Sequence, residues 1–143
     1  MQLPSSLIVD ANILFSFFKK DSTRKFILNK LLKKGVTINI PYLVFLELSN
    51  NKDKIIKYSH ISSTDFIMLL SILNKRLNIF SEEDFSEYLK EALKIVPDKK
   101  DIEYFALSLS LNNCPIWSDE KSFLKQKEIK IFSTKELLDV FSK

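Results

Sequence analysis

The stretch "LIVDANILFSFF" at residues 7–18 decides the fold, because a single carboxylate interrupts an otherwise apolar run. Branched apolar residues typical of a buried strand precede Asp10, and a helix-like pattern follows Asn12. An unpaired charge inside a hydrophobic core is costly. We therefore expect Asp10 either to end a strand at the edge of a sheet or to pair with a buried lysine or arginine.

Length and composition are those of one soluble globular domain covering residues 1–143. The chain is 45% hydrophobic and 28% charged, which is ordinary for a domain with a layered core. No apolar run approaches the roughly 18 residues needed to span a bilayer. The N-terminus also lacks the basic region and the small-residue cleavage site of a secretory signal. We expect a cytoplasmic protein with no membrane association.

Three scarce residue types narrow the chemistry. Gly35 is the only glycine, so a P-loop and a G-x-G-x-x-G nucleotide motif are both excluded. His60 and Cys114 are also single, which excludes a histidine or cysteine metal cluster and an internal disulfide. Any catalysis must rest mainly on carboxylates, hydroxyls, amides and amines. Any bound metal should be an ion that prefers oxygen ligands, such as Mg²⁺ or Mn²⁺.

Short apolar strands alternate with helices along the chain. Strands are predicted at residues 6–11, 36–41, 114–118 and 128–133, with a weaker candidate at 78–81. Helices are predicted at 23–35, 42–59, 62–77, 82–96, 99–112 and 134–142, with a break around Asn50–Asn51 in the second of them. This alternation predicts an α/β domain with a parallel sheet covered by helices on both faces.

Acidic residues from four separate segments are predicted to meet at one edge of that sheet. They follow the first strand and the "PIWS" strand, begin the helix at 99–112, and interrupt the apolar "VFLEL" helix. Ligands of open parallel sheets bind beyond the carboxyl ends of the strands. Clustered carboxylates repel one another unless a cation neutralises them, and a divalent metal could activate water against a phosphodiester. The acids are Asp10, Glu47, Asp98, Asp101, Asp119 and Glu120.

Each acid also has a structural interpretation. Asp98 and Asp101 are suited to capping a helix. Asp119 and Glu120 could be surface turn residues, and Glu47, like the acid of the opening stretch, could form a buried salt bridge. The metal hypothesis depends on all of these positions occurring together.

With these residues in view, the chain resembles the PIN-domain family of metal-dependent ribonucleases, which includes the VapC-type toxins, and it looks most like archaeal single-domain members. The matching stretches appear in order over nearly the whole chain. They are "IVDANILFS" (8–16), "PYLVFLEL" (41–48), "VPDKKDIEYFALSLSLNNCPIWSDEKSF" (96–123) and "IKIFSTKELL" (129–138).

The resemblance implies a three-layer α/β/α sandwich around a mostly parallel sheet of four to five strands, with a Mg²⁺ or Mn²⁺ site at its carboxyl edge. Carried over by position, Asp10, Glu47 and Asp101 match the first three acids of the family. The supporting positions fall on Asn12 and Ser118. Asp98 matches an additional acid that some members carry.

The fourth acid departs from the family pattern of threonine or serine, any residue, then aspartate. Counting back from Phe123 places Glu120 at the acid position and Asp119 at the variable one. A glutamate reaches about one methylene further than an aspartate, so either neighbour could complete the site.

By this resemblance the chain should hydrolyse RNA phosphodiester bonds and leave a 5′-phosphate. The family further implies a homodimer and, for toxin members, an antitoxin protein as partner. The net charge of +4 modestly favours a polyanionic partner, although it also fits a solvated lysine-rich surface. Candidate phosphate contacts are "FFKKDSTRKF" (17–26) and the Lys99–Lys100 pair.

Two other functions fit parts of the pattern. A catalytically weak or inactive PIN-like module that binds RNA or protein would tolerate glutamate as the fourth acid. A phosphatase or a receiver-type phosphoacceptor would also place an aspartate after the first strand. The phosphatase motif, however, needs a second acid where this chain has Asn12.

Overall fold

The apolar run around Asp10 forms a strand that ends at the acid. In the computed structural model, which describes residues 2–142, strand β1 spans Ser6–Val9 and helix α1 spans Ala11–Phe15. Asp10 caps this helix, since its Oδ1 accepts a hydrogen bond from the Ile13 N–H at 3.0 Å. The strand is therefore shorter than predicted, because the carboxylate starts a helix instead of continuing the ladder.

Within residues 2–142, five strands form one parallel sheet in the order β3-β2-β1-β4-β5. The remaining strands are β2 Thr37–Pro41, β3 Asn78–Phe80, β4 Ile116–Trp117 and β5 Ile131–Phe132. The remaining α-helices of residues 2–142 are α2 Thr23–Lys33, α3 Tyr42–Asn50, α4 Lys52–Ser59, α5 Ser63–Arg76, α6 Glu82–Phe85, α7 Leu89–Ile95, α8 Ile102–Ser110 and α9 Thr134–Phe141. The predicted parallel α/β fold is confirmed.

Helices cover both faces of the sheet, which gives the molecule three layers. Side chains alternate along a strand, so Leu7 and Val9 of β1 pack in one apolar core while Ile8 packs in the other. In β4, Trp117 joins the first core and Ile116 the second. The first core includes residues of α1–α5 and α9, and the second includes residues of α6–α8.

The strand order places a crevice above β1 and β4. From β1 the chain builds outward through β2 and β3 on one side, then crosses back to β4 and β5 on the other. Connections that leave a strand in opposite directions open a crevice at the carboxyl ends. Asp10 follows β1 directly, and Asp119 and Glu120 follow β4 closely, so the sequence of strands brings these acids to the same crevice.

Two predicted helices are interrupted. The 42–59 helix breaks at Asn51 as predicted, between α3 and α4. The 82–96 helix is split by a 3₁₀ turn at Ser86–Tyr88, where Phe85 leaves helical geometry at φ −133° and ψ 7°. Phe85 is fully buried in the second core, and its burial depends on tertiary packing that helix periodicity does not show.

None of the helices among the described residues is long and apolar enough to cross a lipid bilayer.

Candidate active site

Two adjoining clefts open at the carboxyl edge of the sheet. The smaller has a volume of about 210 Å³ and is lined by five acids, Asp10, Glu47, Asp101, Glu103 and Glu120; we call it the acidic pocket. The larger has a volume of about 680 Å³, and its polar lining includes Ser16, Arg24, Asn51, Lys54, Tyr58 and Asp119; we call it the side cleft. Asp10, Asn12 and Glu120 line both, so the two clefts form one continuous surface.

Asp10 lies at the junction of the clefts and is only 4% exposed. Burial raises the pKa of this carboxyl, and the negative charge of Glu120 adds to the effect. Hydrogen bonds from Ser118 and from the Ile13 N–H oppose the rise, as does the positive charge of Arg24. The side chain is therefore held in one orientation while its charge remains incompletely compensated.

Two further acids face Asp10 from neighbouring helices. Asp101 ends a 3₁₀ turn at Lys99–Asp101, directly before α8, and is 8% exposed. Burial together with the charge of Glu120 raises its pKa to about 6. Glu47 lies in the second turn of α3, and burial and the charge of Asp10 raise its pKa. These raised pKa values show that burial and neighbouring negative charges outweigh the cations near the pocket, Lys100 and Arg24.

Glu120 and Asp119 are adjacent in sequence but have different surroundings. Asp119 accepts hydrogen bonds from the Thr134 N–H at 2.7 Å and from the Thr134 hydroxyl. It also forms an ion pair with Arg24, with 2.7 Å between Nη2 and Oδ2. Partial burial alone would raise the pKa of Asp119, but these partners outweigh it and lower the pKa. Its carboxylate is thus already engaged within the fold.

The carboxylate of Glu120 lies close enough to the other acids for its charge to affect them. Its backbone N–H donates to the Ser118 hydroxyl at 3.1 Å, and that hydroxyl also hydrogen-bonds to Asp10. The Glu120 carboxylate raises the pKa values of both Asp10 and Asp101. Of the two neighbours, Glu120 lines the acidic pocket, and its carboxylate makes no hydrogen bond or ion pair with another residue of 2–142.

Asp98 lies outside both clefts. Its Oδ1 caps the 3₁₀ turn by accepting a hydrogen bond from the Lys100 N–H at 3.1 Å, and its charge contributes to the raised pKa of Asp101. Lys100 itself lines the acidic pocket and lowers the pKa of Asp101. A role for Asp98 in binding metal stays a prediction.

Sequence reasoning missed two residues of the acidic pocket. Glu103 lines it, and burial, together with the charges of Glu82 and Glu47, raises its pKa. The signal available in the sequence was its position two residues after Asp101, in the first turn of the helix predicted at 99–112. Tyr104 also lines the pocket and accepts a hydrogen bond from the Ala11 N–H at 3.0 Å through its hydroxyl oxygen. This contact joins α8 to the start of α1.

The acids do not form a closed coordination sphere. Within residues 2–142, no three acidic, histidine or cysteine side chains are gathered closely enough to hold a metal ion in their present positions. The donor set nevertheless fits a divalent ion of the Mg²⁺ type, because it consists of carboxylate oxygens. Burial is the largest cause of the raised pKa values of these acids, and repulsion between the carboxylates adds to it; a bound cation would favour their charged forms.

These features define a class of protein: a three-layer parallel α/β domain whose central crevice is lined by acids from several elements. A family model described as PIN domain matches residues 8–138. The chain therefore belongs to the PIN-domain family, and the resemblance inferred from the sequence is confirmed. PIN domains are in general nucleases, and they typically use divalent metal ions.

Several solved structures share this fold, among them one from Rickettsia felis and one from Pyrobaculum aerophilum. One is the structure of VapBC2 from Rickettsia felis bound to a DNA fragment from its promoter, with a TM-score of 0.65, 18% identity, and coverage of 90% of this chain and 98% of that chain. The other is PAE2754 from Pyrobaculum aerophilum, with a TM-score of 0.66, 15% identity, and coverage of 96% of this chain and 90% of that chain. A search of curated proteins found no significant match.

Proposed function

We propose that this chain is a ribonuclease that hydrolyses RNA phosphodiester bonds with the help of Mg²⁺ or Mn²⁺. One observation carries the proposal: acids from four separate segments of a PIN domain line a single pocket at the switch point of the sheet. Gathering buried carboxylates in one pocket lowers the stability of the fold, because like charges repel one another. A reaction that needs a bound cation gives a physical reason for this arrangement.

In this proposal Asp10, Glu47 and Asp101 hold the metal, and Glu120 completes the site. A divalent ion there would activate water and stabilise the leaving oxygen of the phosphodiester. The Ser118 hydroxyl accepts a hydrogen bond from the Glu120 N–H and lowers the pKa of Asp10, so it lies between these two residues of the site. Asp119 acts through Arg24 and Thr134 to hold the loop that presents its neighbour.

Asn12 has a supporting role in the same proposal. Its side chain lies at the boundary of the two clefts, and its backbone carbonyl accepts a hydrogen bond from Arg24 Nη1 at 3.2 Å. This bond ties the first turn of α1 to α2. Asn12, two residues after the first acid, is thereby held at the mouth of the pocket.

The activity is tested by a nuclease assay on RNA with added Mg²⁺ or Mn²⁺. Wild type should cleave and leave 5′-phosphate ends, whereas Asp10→Asn and Asp101→Asn should not. Asp139→Asn is a matched control, because Asp139 is exposed on α9 and lines neither cleft. Equal cleavage by wild type and both site variants would show a contaminating nuclease and refute the assignment.

We further propose that the chain is the toxin of a toxin–antitoxin pair and acts in the cytoplasm. The fold likeness to VapBC2 supports an antitoxin partner, and a homodimer stays a prediction from the family. A small reading frame encoding a DNA-binding domain beside the gene would support the pair. Co-purification of the two products as a complex that lacks nuclease activity would test it directly.

A binding module that does not cut RNA is a second candidate. It is favoured by the glutamate at the fourth acid position and by the open spacing of the acids. Mn²⁺ titration separates the two functions. Binding of Mn²⁺ that is lost in Asp10→Asn, together with no turnover of any RNA, would favour the module.

A further inference from the structure

Tyr104 lines the acidic pocket from α8, three residues after Asp101. Its ring packs against Phe123, with 6.0 Å between the two ring centroids, and its hydroxyl oxygen accepts a hydrogen bond from the Ala11 N–H. Burial, together with the charges of three acids of the pocket, raises the pKa of Tyr104. The hydroxyl group therefore stays neutral although it lies close to these acids.

The hydrogen bond that Tyr104 accepts caps helix α1. The first N–H groups of an α-helix have no partner within the helix. In α1 the Ile13 N–H donates to Asp10 Oδ1 at 3.0 Å, and the Ala11 N–H donates to the Tyr104 hydroxyl at 3.0 Å. Ala11 is only 7% exposed, so bulk water is a poor substitute for this hydroxyl. Tyr104 and the first acid of the site thus share the capping of one helical turn.

Loss of the Tyr104 hydroxyl would make the Ala11 N–H compete for the Asp10 carboxylate. An aspartate side chain can accept hydrogen bonds from several of the backbone N–H groups near it, and an unsatisfied buried donor is costly. The carboxylate would therefore turn from the Ile13 N–H towards the Ala11 N–H. A carboxylate that binds metal depends on its neighbouring hydrogen bonds for its orientation, so this turn would weaken the site.

A neutral hydroxyl is well suited to this position. A carboxylate could also accept from the Ala11 N–H, but it would add negative charge to a pocket that five acids already line. Lysine and arginine side chains have no acceptor atom. Tyrosine supplies the acceptor on a rigid ring and leaves the charge of the pocket unchanged.

We propose that Tyr104 is a positioning residue of the candidate active site: by capping the Ala11 N–H, its hydroxyl keeps the Asp10 carboxylate on the Ile13 N–H and at the acidic pocket. This inference rests on the proposed metal-dependent function, in which Asp10 is a metal ligand. In this role Tyr104 acts through Asp10 and needs no contact of its own with metal or RNA.

The orientation of Asp10 can be followed by NMR in EDTA, without metal or RNA. Tyr104→Phe keeps the ring and removes only the hydroxyl. An amide proton that donates to a charged carboxylate resonates downfield, so the Ile13 amide proton should move upfield in this variant. Tyr88→Phe is the matched control, because Tyr88 is a second partly buried tyrosine packed against the same core and lines neither cleft. It should leave the Ile13 resonance as in wild type.

The affinity for Mn²⁺ is a second readout, measured by calorimetric titration of the folded proteins. Tyr104→Phe should bind Mn²⁺ roughly 10-fold more weakly than wild type, the lower limit expected for a group that orients a metal ligand. Tyr88→Phe should bind it as tightly as wild type. A purely structural role of the Tyr104 hydroxyl would lower the thermal midpoint and leave the Mn²⁺ affinity of the folded protein unchanged.

Removal of the competing donor should rescue the site. Ala11→Pro deletes the N–H at the first position of α1, where proline is favoured. Asp10 already has the extended backbone that a following proline requires, with φ −79° and ψ 165°. In a variant that carries both Ala11→Pro and Tyr104→Phe, donor and acceptor are lost together, which is nearly neutral. Its Mn²⁺ affinity should return to within roughly 3-fold of wild type.

The outcomes separate this inference from the proposed function. If the Ile13 resonance of Tyr104→Phe matches that of Tyr88→Phe, the inference is overturned whatever the nuclease assay shows. Where wild type binds Mn²⁺, an unchanged affinity of Tyr104→Phe, or a double variant that binds no better than Tyr104→Phe, would also overturn it. A wild type that binds no Mn²⁺ would refute the proposed function, and the Ile13 resonance would still decide the inference. Mn²⁺ binding that depends on Tyr104, without cleavage of RNA, would support the inference and refute only the ribonuclease function.

Discussion

Buried polar groups have different partners at the two ends of the sheet. Towards the amino ends of the strands, Asn39 is buried and donates to the Ser6 hydroxyl at 2.6 Å, and it accepts from Asn78 at 3.3 Å. The Ser6 hydroxyl also lies 3.4 Å from the Cys114 thiol. These partners are uncharged amides, a hydroxyl and a thiol. At the carboxyl ends, Asp10 and Asp101 are buried beside other acids instead.

This difference indicates that the polar groups at the amino end stabilise the fold, whereas the acids at the carboxyl end do not. A buried polar network whose members satisfy one another supports the fold at little cost. Buried like charges oppose folding because they repel one another, and the same repulsion raises the pKa of each carboxyl group. Mutations in the amino-end network should therefore affect folding, whereas neutralising Glu120 or Asp101 in the acidic pocket should affect activity and leave the fold intact or more stable.

The largest effect should come from Glu120 at the carboxyl end. Glu120→Gln keeps the size of the side chain and removes its charge, so metal-dependent RNA hydrolysis should fall roughly 100-fold or more. The thermal midpoint should stay the same or rise. Initial rates at saturating Mn²⁺, with parallel thermal melts, measure both quantities.

Asp119→Ala provides the contrast within the same loop. It loses the hydrogen bonds from Thr134 and the ion pair with Arg24, which should lower the free energy of unfolding by about 1–2 kcal/mol. Hydrolysis by the folded fraction should fall less than in Glu120→Gln. The reverse order of activities would reassign the fourth acid to Asp119.

At the amino end, Asn39→Ala should lower the free energy of unfolding by about 2–3 kcal/mol. It removes a buried side chain together with its hydrogen bonds to the partly buried Ser6 and to Asn78, and each such bond contributes about 1 kcal/mol. The rate of hydrolysis per folded molecule should stay close to that of wild type. Urea denaturation with activity assays at low denaturant gives both values. A large loss of activity without destabilisation would contradict the division between the two ends.

Local patterns predicted much of this arrangement. Alternating strands and helices were enough for the parallel α/β fold, and Asp10 was recognisable because it interrupts an apolar run. Glu103 and Tyr104 were missed because they lie on a helix whose orientation depends on packing against the sheet. The different surroundings of Asp119 and Glu120 depend on Arg24 and Thr134, which are far from them along the chain.

The smallest effect concerns pH and Asp101. Its pKa is raised from 3.8 to about 6, so in this window the folded state binds more protons than the unfolded state. The free energy of unfolding therefore falls as pH rises from 3.8, and the cost is complete above about 6. Asp101→Asn does not titrate, so in EDTA its thermal midpoint should exceed that of wild type by an amount that grows across this window. A gain of roughly 4 °C corresponds to about 1 kcal/mol in a domain of this size.

With added Mn²⁺, the thermal midpoint of wild type should exceed that of Asp101→Asn, the reverse of the order expected in EDTA. A cation bound by the acids stabilises only the folded state, so the thermal midpoint of wild type should rise with Mn²⁺ and that of Asp101→Asn should rise much less. Asp139→Asn, with its acid on α9 outside both clefts, should respond to Mn²⁺ like wild type. If the thermal midpoints of wild type and Asp101→Asn in EDTA differed by the same amount at every pH, the pKa of Asp101 would not be raised in the folded state. The acids at the carboxyl end of the sheet would then carry charge without lowering the free energy of unfolding.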